Sequence, residues 1–220
     1  MDYDFNFAVV WRNFDLLLSG LGLGLVLAVL AIAAGSVIGL VSAFAMVSGR
    51  RVLRAPAFVY VSAIRNTPIL VLILFTYFAL PQMGVRFDKL TSFVLTLAIY
   101  AGAYLAEVFR GGLMALSPGL REAGLAIGLT EAQIRLNLVI PVMLRNVLPS
   151  LSNNFISLFK DTSLAAAIAV PELTYYARKI NVESFRVIET WMVASLIYVF
   201  ACYIIAAGLR QIERRLAIPK

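Results

Sequence analysis

Residues 117–141 read SPGLREAGLAIGLTEAQIRLNLVIP, and the chain on either side of them is mostly apolar. Ser117 is a candidate N-cap, with Pro118 in the first helical position, where a missing amide costs nothing. The helix it opens runs through Arg121, Glu122 and Ala126, and Gly128 can end it in a left-handed cap. Thr130 then opens a second helix, with Gln133 three residues on as in a capping box. Ala123 and Gly124 form a small-residue patch that another backbone could approach. The stretch therefore reads as two short helices. A polar connector between two spans could carry the same caps, because caps occur at many helix ends.

The surroundings of the stretch set its context. Of the 220 residues, 61% are hydrophobic and 14% are charged, and the mean hydropathy is +0.89. Soluble domains average about 45–50% apolar and about 25% charged. The chain reads as a single polytopic membrane domain over residues 1–220, with no soluble catalytic domain appended. Five apolar segments are long enough to span: Leu16–Val47, Ala57–Leu80, Leu90–Phe109, Pro149–Val170 and Thr190–Leu209. The first is too long for a perpendicular helix and is expected to tilt or project. It carries Gly20 and Gly24, then Gly35 and Gly39, a small-xxx-small spacing that allows close helix approach. MDYDFNF at the start lacks a basic n-region and a cleavage site, so a removable signal peptide is not expected.

Charge gives the orientation. The net charge of +7 would suggest nucleic acid in a soluble protein, but here the basic residues cluster in particular loops, and no nucleic-acid partner is expected. With the C-terminus cytoplasmic, Arg50, Arg51, Arg54, Arg110, Arg121, Arg135, Arg145, Arg210, Arg214, Arg215 and Lys220 face the cytoplasm. Six basic residues then lie outside: Arg12, Arg86, Lys89, Arg178, Lys179 and Arg186. The bias places the N-terminus outside and residues 117–141 inside. The chain has no histidine and one cysteine, Cys202, which excludes a His-based metal site, a catalytic triad and a disulfide framework.

Glu122-Ala123-Gly124, three residues, Gly128, nine residues and Leu138-Val139-Ile140-Pro141 together resemble the EAA loop of ABC importer permeases. The family pattern has alanine where this chain has Gly124, and isoleucine and leucine where it has Leu138 and Ile140. RNTPILV (Arg65–Val71), AYLAEVFRGGL (Ala103–Leu113), LFKDTSLAAAIAVPEL (Leu158–Leu173) and FRVIETW (Phe185–Trp191) are similar to permeases of polar-amino-acid importers. The resemblance implies an all-α integral membrane protein of the type I ABC importer permease fold, with about five transmembrane helices and short cytoplasmic coupling helices in a loop at about 111–141. It implies ATPase coupling through Glu122, Ala123, Gly124, Gly128 and Pro141. The partners it implies are ABC ATPase subunits, a second permease subunit (the same or a related chain) and a periplasmic or surface amino-acid-binding protein. The location it implies is the bacterial inner membrane. The chain has no G-x-x-x-x-G-K-[ST] phosphate loop, so no cofactor is expected in it, and ATP and Mg would sit on the partner ATPase.

Two polar features inside the spans point to the cargo. Lys160 and Asp161 fall near the centre of the fourth apolar segment, where each charge costs roughly 2.5–3.5 kcal/mol. Ser150, Asn154, Ser157 and Asp161 share one helix face, opposite Phe155, Ile156 and Phe159, which reads as the lining of a cavity. In Arg65-Asn66-Thr67-Pro68 the proline disfavours helix at Thr67, and Thr67 is the candidate N-cap of a fresh helix. The bland alternative is a proline kink with Arg65 snorkelling. A helix broken inside a membrane lines a cavity, and its new N-terminus favours an anion. Together the two features suit a zwitterion: Thr67 and the nearby amides hold the α-carboxylate, Asp161 holds the α-ammonium, and Asn154 lies within reach of the side chain, with Arg65, Pro68 and Ser157 as the other candidate substrate-binding residues. Carriers of cationic amino acids in the resembling family tend to have glutamate where this chain has Asn154, which favours a neutral or acidic substrate.

Glu107 and Arg110, at i and i+3, are expected to pair and brace the coupling loop. Residues 171–189, with mixed charges, read as a solvated outer loop or as a docking surface for the binding protein. The competing reading is a self-sufficient secondary transporter or channel, which explains the charges inside the spans but leaves the coupling-type loop without a task. A membrane enzyme is harder still to assemble without histidine or a carboxylate cluster.

Overall fold

The computed structural model describes residues 3–216. Lys220 and the end of the basic tail lie outside the described residues, as do Met1 and Asp2. Among the described residues every regular element is helical and no strand occurs, as a chain in lipid requires when its backbone must satisfy itself. Among the described residues four helices are long and apolar enough to cross a membrane, and a fifth span results when the bent pair Arg51–Arg65 and Ile69–Met83 is counted as one.

A short helix α1 (Ala8–Arg12) leads into α2 (Phe14–Met46), whose 33 residues make the long first span. At about 1.5 Å per residue it exceeds the ~30 Å hydrocarbon core, so it tilts or projects. Its glycines work in two pairs. A Cβ on Gly35 would lie 2.6 Å from the Ala101 Cβ, and one on Gly39 would lie 3.0 Å from backbone atoms of Gly102 and Ala106. The second pair therefore brings α2 onto the third span, α5 (Lys89–Met114), at backbone distance. Gly20 and Gly24 serve the opposite end: a Cβ on Gly20 would sit 2.7 Å from the backbone between Glu172 and Leu173, and one on Gly24 would sit 3.3 Å from Thr162 Oγ1.

The second crossing is broken as expected. Helix α3 (Arg51–Arg65) stops and α4 (Ile69–Leu74) restarts, continuing through a π-turn and a 3-10 turn to Met83, with a bend of 101° between the halves. Tyr60 anchors α3 by donating its hydroxyl to the Ile99 carbonyl of α5 at 2.6 Å.

The fourth crossing corrects the sequence reading. After α6 (Pro118–Ala126), one helical run extends from Glu131 to Ile168. It comprises α7 (Glu131–Ile134), a π-turn, α8 (Ile140–Asp161) and a 3-10 turn, so the second short helix is not separate but is the start of the span. Pro141, at the start of α8, lacks the amide that an α-helix needs, and the π-turn over Arg135–Val139 absorbs the fault. Arg145, Asn146 and the two prolines, Pro141 and Pro149, hid the early part of the span from a hydropathy reading. Lys160 and Asp161 consequently lie near the end of this run, level with Gly24 in the first third of α2, and not at its centre.

Residues 171–189 are not a solvated loop. They fold as α9 (Leu173–Ser184), which packs Leu173, Ala177 and Ile180 against Leu17 and Val193, and they lead into the last span, α10 (Val187–Leu216). Large apolar side chains stay exposed along α2 and α10, among them Val26, Val29, Val37, Leu196, Val199 and Phe200. That is expected of faces turned to lipid or to a second subunit.

Candidate substrate path and coupling helix

The α3–α4 break is closed on one side by its own side chains. Asn66 Nδ2 donates to the Ser62 carbonyl and Thr67 Oγ1 to the Ala63 carbonyl, both at 2.8 Å, satisfying the last acceptors of α3. Thr67 is therefore not the N-cap of α4; Pro68 holds that position with φ −58° and ψ 130° and offers no side-chain acceptor. Its carbonyl accepts from Val71 and Leu72, which leaves the amides of Ile69 and Leu70 as the open donors of the new helix.

Arg65 turns to α5. Its guanidinium lies 5.3 Å from the centre of the Tyr104 ring and 3.7 Å from Glu107 Oε1. Tyr104 packs against Tyr100 with ring centres 4.7 Å apart and ring planes tilted by 39°. Tyr100, Tyr104 and Glu107 stand at i, i+4 and i+7, so they form one half-buried stripe on α5 beside the buried Ala101, Ala103, Leu105 and Ala106. The expected Glu107–Arg110 pair is present: Arg110 donates Nε and Nη2 to Glu107 Oε2 at 2.9 and 2.6 Å. Its place differs from expectation, because Glu107 also faces Arg65 and so belongs to the helix break.

On α8 the polar stripe stands clear of the core. Leu151, Leu158 and Phe159 are buried, Ser150 and Ser157 are exposed, and Asn154 and Asp161 are half-buried. Phe155 and Ile156, expected opposite the stripe, are half-buried as well. Asn154 Nδ2 donates to the Ser150 carbonyl at 2.8 Å, leaving its Oδ1 and one N–H for another partner. Among the described residues no Lys or Arg nitrogen lies within 4.0 Å of the Asp161 carboxylate, Lys160 included. Leu158, Ala165, Ile69 and Ile73 share one apolar cluster with Phe93 and Leu97, and Tyr100 packs on it. The cluster ties the break in the second crossing, the α5 stripe and the Asp161 end of α8 into one rigid group. The sequence reading missed Tyr100 and Tyr104, although their spacing to Glu107 was the available signal.

At the other end, α6 is built as its caps require. Ser117 Oγ accepts from the Gly119 amide at 3.3 Å and Pro118 occupies the first turn. Gly128 adopts φ +80°, and the amides of Gly128 and Leu129 close back on the carbonyls of Leu125 and Gly124 at 3.0 Å, a Schellman turn. The Thr130–Gln133 capping box is complete, and Arg121 pairs with Glu131 across the turn. Glu122 and Ala123 are exposed, with Leu125 and Ile127 bare beside them. Gly124 faces inward: a Cβ there would lie 2.7 Å from Ile134 Cγ1 and 3.0 Å from Leu138 Cδ1. The small-residue patch is thus divided, with Ala123 on the surface and Gly124 against the start of the fourth span. Pro141 is apart from this group, inside that span's helix. Among the described residues no group of His, Cys, Asp or Glu could hold a metal ion.

The model of the binding-protein-dependent transport system inner membrane component family matches residues 35–218. The chain belongs to that family. This permease is similar to the glutamine transport system permease protein GlnP of Escherichia coli strain K12, with 38% identity over 216 residues, 97% of this chain and 99% of that one. It is 33% identical to the probable amino-acid ABC transporter permease protein YckA of Bacillus subtilis strain 168, over 98% and 96% of the two chains. It is 37% identical to the octopine transport system permease protein OccM of Rhizobium radiobacter, over 92% and 86%. Among solved structures, an amino acid ABC transporter crystallised with histidines matches with a TM-score of 0.87 and 32% identity, covering 97% of this permease and all of that chain. An inward-facing MetNI methionine transporter shares the fold at a TM-score of 0.81 and 20% identity. The permease is accordingly an all-α, non-catalytic membrane component of an ABC transport system.

Proposed function

We propose that this permease imports polar amino acids with a neutral or acidic side chain, forming half of a path whose other half is a second permease subunit, the same or a related chain. The observation that carries the reading is that two incompletely compensated charges of opposite sign stand on elements joined by one apolar cluster. Arg65 and the open amides of Ile69 and Leu70 lie at the helix break that Thr67 and Pro68 shape, and among the described residues Asp161, at the end of α8, makes no salt bridge. An amino-acid zwitterion completes both: its α-carboxylate meets Arg65 and the amides, and its α-ammonium meets Asp161 and Ser157. Asn154, neutral and with free hydrogen-bonding capacity, faces the side chain. The relatives named for glutamine and for amino acids support the same class of cargo.

Coupling runs through α6. Glu122 and Ala123, with the bare Leu125 and Ile127, form the face that docks into an ATPase subunit carrying ATP and Mg, while Gly124 and Gly128 set the helix against the fourth span. Motion of α6 reaches the path because Glu131–Ile168 is one helix that ends beside Asp161, with the Pro141 π-turn as its compliant point. The bias of the basic residues supports a cytoplasmic α6 and C-terminus and an outside N-terminus, on the side where a binding protein would deliver the cargo.

The test is uptake of L-glutamine and L-glutamate into proteoliposomes holding the permease, its ATPase and its binding protein. Asp161→Asn is expected to raise the KM at least tenfold, about the value of one charge-assisted hydrogen bond. An unchanged KM would remove Asp161 from the site. Uptake by the permease alone, with no ATPase present, would replace this reading with a secondary carrier.

A further inference from the structure

The Arg65–Glu107–Arg110 cluster holds two guanidinium groups and one carboxylate. Glu107 does not share itself equally. Its Oε2 takes two hydrogen bonds from Arg110, at 2.9 and 2.6 Å, whereas its Oε1 is 3.7 Å from Arg65, near enough for attraction and too far for a hydrogen bond. The side chain of Arg65 is 42% exposed and rests on the face of Tyr104; that of Glu107 is 23% exposed. The cluster therefore carries one excess positive charge, and the guanidinium that is loosely held is the one at the helix break.

We propose that Glu107 is a displaceable counter-ion: it attends Arg65 while the path is empty and yields it to the carboxylate of the transported amino acid. The inference rests on the reading that the path carries amino acids. An arriving carboxylate exchanges a 3.7 Å contact for a bidentate, charge-assisted one, so Arg65 gains by the exchange. Glu107 loses little, because Arg110 still neutralises it through both hydrogen bonds. A closer Arg65–Glu107 bond would resist the cargo. Without Glu107, Arg65 would stand unpaired in the empty path and hold its cargo too long. The device thus sets a moderate affinity, which a transporter needs at a site it must also empty.

Glu107→Gln keeps the shape of the side chain and an acceptor for Arg110 while removing the charge that competes for Arg65. Binding of radiolabelled L-glutamine and L-glutamate to the purified permease–ATPase complex is compared with binding of L-glutaminamide, whose α-carboxylate is capped. E107Q is expected to tighten binding of the two free acids roughly three- to fivefold, the scale of a partly exposed ion pair, and to leave the capped amide unchanged. E107D is expected to restore the wild-type ratio of free acid to amide. A wild-type complex that binds the free acids, with an E107Q ratio that does not move, overturns the counter-ion role and leaves the import reading standing. A ratio that moves in E107Q but equally in E107D assigns Glu107 a purely structural role and also overturns it. A wild-type complex that binds none of the probes overturns the import reading and this inference with it.

Discussion

The carboxylate of Glu172 accepts a hydrogen bond of 2.8 Å from the hydroxyl of Tyr198, tying the start of α9 to the middle of α10, and none of the Glu172 surface is exposed. Glu172 also caps α9, accepting from the amides of Thr174 and Tyr175 at 2.9 and 2.8 Å. The peptide bond between Glu172 and Leu173 lies under Gly20, where α2 has no side chain to interfere.

Burial raises the Glu172 pKa above its ordinary value of 4.5, although the bonds from Thr174, Tyr198 and Tyr175 oppose the shift. The folded chain holds this proton more tightly than the unfolded chain does. The resulting stabilisation is complete below about pH 4.5 and is lost as the pH rises through the higher, folded-state value. Wild-type permease in detergent is therefore expected to lose thermal stability from pH 4.5 upward by an increment that Glu172→Gln lacks. The carboxamide keeps one acceptor oxygen for the cap and cannot ionise, so the comparison is of the slopes with pH and not of the absolute stabilities. Parallel melting curves of the two proteins at several pH values check this, and equal slopes would count against it.

Gly124 gives a second prediction. A side chain there meets Ile134 and Leu138, so Gly124→Leu is expected to cost about 1–3 kcal/mol by overpacking and to tilt α6 away from the fourth span. Gly124→Ala is expected to cost less, about 1 kcal/mol or under, because better helix propensity offsets part of the crowding against Ile134 Cγ1 and Leu138 Cδ1. Melting temperatures and substrate-stimulated ATP hydrolysis in the complex measure both effects.

Gly128 separates conformation from contact. No atom lies within 4 Å of a Cβ built there, so a substitution acts only through φ +80°. Gly128→Ala is expected to strain the turn by about 1–2 kcal/mol and weaken the coupling of ATP hydrolysis to uptake, while Gly128→Asn, more at ease in left-handed backbone, keeps most of it. Equal losses in the two variants would point to a direct contact with the ATPase instead.

These sites show what could be read in the linear chain. The caps at Ser117 and Thr130, the Gly128 turn and the break before Pro68 were all legible, because each is set by bonds or clashes within a few residues. The glycine pairs of α2 announced close packing without naming their partners. Gly20 meets the start of α9 and Gly35 meets α5, and nothing local distinguishes them. The start of the fourth span was misplaced for a related reason. Hydropathy averages all faces of a helix, and the residues from Glu131 to Leu148 bury one face while exposing Arg145 and Asn146 on another.

The sequence by itself determined that this chain crosses a membrane as helices, which helix breaks, and that residues 117–133 form a capped, protruding turn. Apolar run length, proline geometry and capping act over short distances and need no partner. The tertiary structure alone decided that Arg65 rests on Tyr104 and shares Glu107, that Asp161 makes no salt bridge among the described residues, and that Glu172 is buried rather than solvated. Each of these joins residues tens of positions apart, and such neighbours follow from how the spans pack together, which no local rule encodes.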